Sequence, residues 1–248
     1  MLTTDQVLTG RAALLEAAGH HPYARHGLRR GSEVRGYRHG GAVAWLPGPG
    51  PGPAGNAVGS PDAAVEIFVD LVAAGVVHPG QWLHLPGLDP GSLAGRLAAT
   101  RVDQWEFRWA DAPPPDQTDQ DRVVRLGEAD GPSLTELIDV AFPTTTSRPG
   151  DPRIVDWYGI RDGDRLVAAG ADRSQGDIGF VAGLVVAPGD RGRGLGAALT
   201  AGMARRLFDR YDQVALGVYT DNVGAIRLYE RLGFRHVVAR SSVRLAED

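Results

Sequence analysis

A run of arginines and glycines, Arg191-Gly192-Arg193-Gly194-Leu195-Gly196-Ala197, is the stretch of this sequence best suited to chemistry. It follows the apolar pair Val185-Val186 and precedes leucines at helical spacing. The first amides of a helix have no intrahelical partner and carry partial positive charge, so they favour a phosphate. Glycines also remove the side chains that would keep a pyrophosphate at a distance. The stretch therefore predicts an anion-binding turn between a strand and a helix.

Two common nucleotide-binding motifs do not fit this turn. A P-loop needs a lysine followed by serine or threonine after its last glycine, and the chain contains no lysine. A dinucleotide fingerprint needs the spacing G-x-G-x-x-G, whereas Gly192, Gly194 and Gly196 are two residues apart. The turn therefore predicts a different phosphate-containing ligand.

A second informative stretch runs from Asn222 to Phe234 and reads Asn-Val-Gly-Ala-Ile-Arg-Leu-Tyr-Glu-Arg-Leu-Gly-Phe. Its pattern predicts a helix that is capped by Asn222 and ended by Gly233, with Phe234 as the apolar partner of that end. On the residues alone, Tyr229 could be a core aromatic of this helix and Asn222 simply its cap. Arg191 and Arg193 could likewise be solvated surface residues.

Both stretches resemble the GNAT superfamily of N-acetyltransferases. Arg191, Gly194 and Gly196 match its acetyl-CoA signature Arg/Gln-x-x-Gly-x-Gly/Ala, and Asn222 to Phe234 is similar to its segment Asn-x-x-Ala-x-x-Leu-Tyr-x-x-x-Gly-Phe. The resemblance extends over residues 122 to 246. It implies acetyl-CoA as co-substrate and chemistry that needs no metal.

The resemblance also implies roles for the matched positions. The strand before the turn would offer backbone groups to the pantetheine arm, the turn would hold the pyrophosphate, and Asn222 would bond the coenzyme or a nearby water. The implied coenzyme-binding residues are Leu184, Val185, Val186, Arg191, Gly192, Arg193, Gly194, Leu195, Gly196, Ala197 and Asn222. Tyr229 would be the catalytic acid that protonates the departing thiolate.

The sequence departs from the family at the general base. Several members carry a glutamate five positions before the asparagine, and here that position is Gly217. Deprotonation of the amine could pass through water to the backbone, or through a residue from elsewhere. Asp172 and Tyr219 are the candidates that the sequence offers for this role.

The elements around the motifs predict the fold of the C-terminal half. An antiparallel meander precedes the turn, and the strand after the following helix is expected to run parallel to the last meander strand. The predicted fold class is α/β (α+β), with a mixed, mostly antiparallel GNAT-type sheet flanked by helices and a smaller α/β domain before it. Strands are predicted at 123–126, 157–160, 166–170, 178–186, 214–219 and 236–245, with helices at 134–142 and from residues 195 and 222.

The N-terminal half alternates strands and helices but has no recognisable chemical motif. It could be a degenerate second copy of the same fold, or a substrate-covering domain resembling that of the glycine N-acyltransferase-like proteins. Domains are predicted at 1–110 and 122–248, joined by a proline-rich linker at 111–121. One acetyl-CoA per chain is expected, in the second domain.

Specific elements are expected in this half as well. The predictions are a helix at 3–18, a solvated loop at 20–39, a strand at 41–46, a mobile loop at 47–53, a helix from Ser60, a strand at 82–85, a helix at 92–99 and a strand at 104–109.

Composition sets the class of protein. The chain has 248 residues, 43% of them hydrophobic, a formal net charge of -4 and no cysteine. Disulfides, thiolate metal sites and cysteine nucleophiles are thereby excluded. The mild negative charge argues against nucleic acid as a partner, and the sequence has neither a signal peptide nor a membrane-spanning run. A cytoplasmic monomer or homodimer is expected.

Two functions remain open from the sequence. The first is an N-acetyltransferase that acts on a primary amine of a small molecule or on a peptide amino terminus. The second is a non-catalytic module that binds or senses acyl-CoA, which the missing glutamate at Gly217 keeps open. The identity of the acceptor cannot be deduced, although the loop from Pro143 to Pro152 is expected to contribute to selectivity.

Overall fold

The computed structural model describes residues 6–47, 55–93 and 95–247. Most of the predicted loop at 47–53 lies outside these residues. The described residues form two compact units, and three strands have residues in both. Unit 1 is drawn from Met1–Phe107, Val218–Asp221 and Val237–Asp248, and unit 2 from Arg108–Gly217 and Asn222–His236. The functional division between the predicted domains stays a prediction.

Helices and strands occur throughout the described part of the chain. In order they are β1 (Gln6–Thr9), α1 (Arg11–Ala17), α2 (Pro22–Gly27), β2 (Arg35–His39), β3 (Ala42–Leu46), β4 (Gly55–Gly59), α3 (Pro61–Ala73), β5 (Trp82–Pro86), β6 (Ala99–Ala110), β7 (Val124–Leu126), α4 (Gly131–Ala141), β8 (Asp156–Asp162), β9 (Arg165–Asp172), β10 (Gly179–Val186), α5 (Leu195–Phe208), β11 (Val214–Tyr219), α6 (Val223–Arg231) and β12 (His236–Leu245).

In unit 1 the strands β1, β2, β3 and β4 pair antiparallel in sequence order, and β5 pairs parallel to β4. The helix between β4 and β5 begins as predicted, since the Ser60 side chain accepts a hydrogen bond from the amide of Ala63 and Pro61 occupies the first turn. Its apolar side packs on the sheet through Ile67, Phe68 and other buried residues. The core of unit 1 lies between α3 and these strands.

Three predictions for the N-terminal half are wrong. The expected helix at 3–18 is divided, because Gly10 has a φ of 83° and residues 6–9 pair with β2. The expected solvated loop at 20–39 contains α2 and β2, and buries Tyr23 and Tyr37. The expected helix at 92–99 is replaced by a short 3-10 turn at Pro90–Leu93 and the start of β6. Strand β4 lies in a stretch where no element was predicted.

Unit 2 confirms the predicted meander. Strands β7, β8, β9 and β10 pair antiparallel in sequence order, and β11 runs parallel to β10 after the connecting helix α5. The turn between β8 and β9 contains Gly163 at a φ of 61°, a conformation that glycine adopts without strain. A core of residues from α4, β9 and β10, including Ile138 and Val185, fills one side of the sheet. The mixed, mostly antiparallel sheet with flanking helices is the predicted fold class.

The two units repeat one order of elements. Each has four antiparallel strands, then a helix, then a strand parallel to the fourth, with helical structure between the first and second strands. The repeat relates β4, α3 and β5 of unit 1 to β10, α5 and β11 of unit 2. This order supports the interpretation of the N-terminal half as a second, degenerate copy of the fold.

A buried arginine crosses the parallel strand pair of unit 1. Arg240 of β12 donates hydrogen bonds to the carbonyl of Ala57 in β4 at 2.8 Å and to the carbonyl of His84 in β5 at 3.0 Å. Its guanidinium lies 3.6 Å from the centre of the Tyr23 ring, and the side chain is 2% exposed. Strands β4 and β5 pair only through residues 55–56 and 83–84, so this guanidinium bridges them where their own pairing ends.

The positive charge of Arg240 affects the pKa of a neighbouring histidine. Burial and the Arg240 guanidinium lower the pKa of His21 to about 4. The neutral His21 imidazole then accepts a hydrogen bond from the Tyr23 amide at 3.1 Å and caps α2. Burial lowers the pKa of Arg240 itself, but a guanidinium remains protonated in proteins.

We predict that Arg240→Met lowers the free energy of unfolding by about 1–3 kcal/mol, because two buried strand carbonyls lose their donors while the apolar volume is kept. Urea denaturation followed by tryptophan fluorescence measures the change. The control is Arg244→Met on the same strand, whose partly exposed ion pair with Glu247 should contribute less than about 0.5 kcal/mol. Equal stability of Arg240→Met and wild type would show that the bridge contributes nothing.

Candidate active site

Strands β10 and β11 separate partway along their length. Their parallel pairing covers Gly179 to Val181 on β10 and stops at the pair Val181 with Leu216. Beyond this point, the β10 edge that faces away from β9 has no strand partner among the described residues. The predicted coenzyme residues Leu184, Val185 and Val186 lie on this stretch. Their strand can therefore offer backbone groups to a ligand, as the resemblance implies.

A β-bulge marks the same stretch. The register between β9 and β10 shifts between Ala182 and Val185, and Gly183 has a φ of 58°. A bulge bends a strand and re-aims the residues around it. Glycine inside an apolar strand is the sequence signal for this feature, although Gly183 is not among the predicted site residues.

The predicted anion-binding turn has the expected form. Gly192 and Gly194 have φ values of 78° and 81°, and α5 begins directly after Gly194. Ala197 and Ala198 donate their amides to the Gly194 carbonyl, whereas the amides of residues 192–196 donate to no backbone carbonyl in the described part of the chain. Successive free amides in such a conformation form a concave anion site. Residues 191–194 are exposed, so the site is open to a ligand.

A buried carboxylate, that of Asp190, precedes the turn and forms ion pairs with two arginines. Asp190 has a side chain that is 4% exposed, and it bonds Arg165 at 2.7 Å and Arg193 at 2.6 Å. The Arg165 guanidinium, together with Arg193, lowers the pKa of the Asp190 carboxyl. Arg193, predicted as a phosphate contact, is therefore tied to Asp190 in this structure. Arg191 is exposed and donates to the carbonyl of Ala141 at 3.3 Å.

The start of α5 brings three elements together. A Cβ on Gly196 would lie 3.6 Å from Leu228 of α6 and 3.9 Å from Val186 of β10, both ordinary contact distances. A methyl group would therefore fit at this position. Strand β10 and the helix that carries Tyr229 therefore both lie next to Gly196, at the start of α5.

Tyr229 has a buried ring and an accessible hydroxyl. The residue is 8% exposed, and its ring packs edge-on against Phe234 with a centroid distance of 6.3 Å. Its hydroxyl has no hydrogen-bond partner within the described ranges, and it is not among the fully enclosed polar atoms. Burial raises the pKa of Tyr229 to about 12. The phenol is therefore protonated at neutral pH and has its proton free to donate.

Asn222 serves as the N-cap of α6. Its Oδ1 accepts a hydrogen bond from the amide of Ala225 at 3.2 Å, and the residue is exposed. The cap occupies only the side-chain oxygen, so the amide nitrogen can still bond a coenzyme or a water. The helix-cap interpretation holds, and the coenzyme role stays a prediction.

Neither candidate for the general base suits that role. Asp172 is fully buried, and its carboxylate bonds Arg210 at 2.6 Å and the Ser174 amide at 2.9 Å, so it cannot reach a substrate. Tyr219 lies in unit 1, where burial and Asp103 raise the pKa of its phenol. A phenol with a raised pKa is uncharged at neutral pH and is a poor base. A path through water is the alternative that remains from the sequence analysis.

The matching helix start in unit 1 differs in every feature that favours a phosphate. A single residue, Ser60, joins β4 to α3, and Pro61 has no amide hydrogen. The side-chain and backbone oxygens of Ser60 already accept the amides of Ala63 and Ala64. Asp62 adds a negative charge to the first turn. This end of α3 therefore offers little to an anion.

The described residues also lack two other kinds of feature. Within residues 6–47, 55–93 and 95–247, no group of three or more histidine, cysteine, aspartate or glutamate side chains is placed to hold a metal ion. In the same ranges, no helix has the length and apolar character needed to cross a membrane.

Part of this chain is similar to known proteins. Residues 157–244 match the family model described as FR47-like protein. A mycothiol acetyltransferase from Thermobispora bispora is 49% identical over 69 residues, which is 27% of this chain. The match spans 23% of that relative's own length, so it covers only a small part of the relative.

Solved structures resemble nearly the whole chain. A structure described as a GNAT-family acetyltransferase from Novosphingobium aromaticivorans is 26% identical, with a TM-score of 0.61 over 94% of this chain and 96% of the other. A GCN5-related N-acetyltransferase from Kribbella flavida shares the fold at 19% identity, with a TM-score of 0.55 over 96% of this chain and 95% of the other.

We predict that Gly194→Ala weakens acetyl-CoA binding by about tenfold or more. A Cβ at a φ of 81° is strained by about 1–3 kcal/mol, and relief of that strain would move the free amides of the turn. Isothermal titration calorimetry measures the dissociation constant. Gly189→Ala is the matched control, because Gly189 lies in the same connection with open space around it and no positive φ. Equal weakening by both variants, or by neither, would contradict the role of the turn.

Proposed function

We propose that this protein is a GNAT-type acetyltransferase that transfers the acetyl group of acetyl-CoA to a primary amine, since residues 157–244 match the FR47-like family model and the fold resembles that of GNAT acetyltransferases. The acceptor is a small molecule or a peptide amino terminus. The observation that carries this proposal is the junction of the open β10 edge, the free amides at the start of α5 and the accessible hydroxyl of Tyr229.

In the proposed reaction the neutral amine attacks the thioester carbonyl directly. The C–N bond forms, the C–S bond breaks, and the products are an N-acetyl amide and free CoA. An amide of the open β10 edge stabilises the developing oxyanion, since that edge has unpaired backbone groups near Leu184. The free amides of residues 192–196 and the arginines of the turn hold the pyrophosphate.

Tyr229 assists the departing sulfur. Thiols ionise near pH 8.5, whereas the Tyr229 phenol has a pKa of about 12, so complete transfer of its proton to the thiolate is uphill. The phenol therefore acts as a hydrogen-bond donor to the sulfur, and the proton released by the amine balances the one that the sulfur gains. This role needs a protonated phenol, which any tyrosine has at neutral pH, and burial of the Tyr229 ring keeps it protonated at higher pH as well.

The proposal also includes the cellular location, the oligomeric state and the partners of the protein. The protein works in the cytoplasm as a monomer or homodimer, with acetyl-CoA and a small amine or peptide as its partners and without nucleic acid, membrane or metal. The alternative is a non-catalytic acyl-CoA sensor. Release of free CoA in the presence of a panel of amines separates the two, because a sensor binds acetyl-CoA and releases none.

We predict that Tyr229→Phe lowers kcat by about tenfold or more, because the departing sulfur loses its hydrogen-bond donor. Calorimetry should give an acetyl-CoA dissociation constant close to the wild-type value. Tyr211→Phe is the control, since Tyr211 lies beyond the end of α5 and only its ring contacts Arg210. In wild type, kcat should not fall between pH 8 and pH 10 through Tyr229, whose pKa is about 12. An unchanged kcat in Tyr229→Phe would remove this residue from the mechanism.

A further inference from the structure

Ser147 lies against the bulge of β10. It belongs to the loop between α4 and β8 and is 3% exposed. A Cβ on Gly183 would come within 2.7 Å of the Ser147 Cβ and 3.1 Å of its Oγ. The glycine at the bulge is therefore what makes room for this serine. The contact lies two residues beyond the last pair between β10 and β11.

The hydroxyl of Ser147 makes no hydrogen bond that would stabilise the described part of the fold. Its backbone amide donates to Thr145 Oγ1 at 3.2 Å, but its own Oγ has no hydrogen-bond partner among the residues that the structure describes. The Oγ is also not among the fully enclosed polar atoms, so water can reach it. A nearly buried hydroxyl with its hydrogen-bonding capacity unused is uncommon, because such groups usually find a partner.

The loop around Ser147 is held by many other bonds. Arg148 bonds the carboxylate of Asp139 and the carbonyl of Pro143. Arg153 makes a two-pronged bond to Asp151, with a shortest distance of 2.7 Å, and Gln175 donates to the Arg153 carbonyl at 3.0 Å. The position of Ser147 is therefore fixed before any ligand arrives, which lowers the entropy cost of a contact to it.

Ser147 lies on the opposite face of β10 from Leu184. A Cβ on Gly170 would meet the side chains of Leu184 and of Met203 from α5 at 2.8 and 2.7 Å, so Leu184 points to the α5 side. Gly183 instead faces Ser147, with the Trp157 ring 3.8 Å away. The serine hydroxyl and the helix that begins at the anion-binding turn thus approach the strand from two sides.

We propose that Ser147 contacts the acceptor, by accepting a hydrogen bond from an N–H of the attacking amine. The proposal rests on the proposed function. An alkyl hydroxyl does not ionise near neutral pH, so Ser147 orients the nitrogen lone pair toward the thioester carbonyl, and the released proton passes to water. The contact favours amines that keep an N–H after their lone pair is aligned, which primary amines do.

The test compares two single hydroxyl deletions. Ser147→Ala keeps the Cβ against Gly183 and removes only the Oγ, and Thr146→Ala removes an exposed hydroxyl one residue away. For Ser147→Ala, kcat/KM for the amine should fall about tenfold, mostly through a higher KM, the effect of one lost hydrogen bond. The acetyl-CoA dissociation constant from calorimetry should stay within about twofold of wild type. Thr146→Ala should match wild type in all three quantities.

Each contrary outcome has a distinct meaning. An unchanged kcat/KM in Ser147→Ala overturns the contact with the amine and leaves the proposed function standing. Equal losses in amine and acetyl-CoA affinity, or the same losses in Thr146→Ala, indicate a structural role of the loop and also overturn it. If wild type releases no CoA with any primary amine of the panel, the proposed function fails, and the role of Ser147 fails with it.

Discussion

The candidate site depends on the place where β10 stops pairing with β11. Backbone groups of a strand interior are normally consumed by the neighbouring strands, and here the pairing ends at Val181 while β10 continues to Val186. The bulge at Gly183 and the glycine turn before α5 both follow within a few residues. The early end of this strand pair leaves strand groups free, and the free amides at the start of α5 and the Tyr229 hydroxyl lie in the same unit.

Unit 1 has the same order of elements, but fewer backbone groups are free where its parallel strands separate and where its helix α3 begins. Its parallel pair β4 and β5 also ends after two residue pairs, but Arg240 donates to a carbonyl of each strand beyond that point. Its helix α3 follows the strand after one residue, and Ser60 and Pro61 leave few amides free. The same order of elements therefore leaves several amides free at the start of α5 and few at the start of α3, and the two units differ there in the length of the connection and in Arg240.

The sequence predicted the elements whose local signals are strong. The strands and helices of residues 123–245 follow from hydrophobic period, the Asp-Gly turn at 162–163 and the caps at Asn222 and Gly233, and these are local properties. The prediction of a helix over residues 6–9 is wrong because a strand of four residues can have the same apolar content as a helical turn. The arginine-rich segment 20–39 was misread because Tyr23 and Tyr37 are buried by distant elements, such as Arg240 against the Tyr23 ring.

The site could be predicted only in part for the same reason. The glycine turn and Tyr229 stand in recognisable motifs, whereas Ser147 and Gly183 become a pair only when the chain folds. Asp172 looked like a possible base because its burial and its bond to Arg210 depend on a residue 38 positions away. Arg193 looked free for phosphate, and its ion pair with Asp190 is a competing interaction that a ligand must displace or share.

The number of acetyl-CoA molecules bound per chain tests the central claim most directly. That claim is that the open strand edge and free helix amides of unit 2 bind the coenzyme while the matching positions of unit 1 are closed. Isothermal titration calorimetry of the 248-residue wild-type chain should give a stoichiometry of one. A stoichiometry of two would show that Arg240 and the capped α3 do not close unit 1, and no detectable binding would contradict the coenzyme site itself.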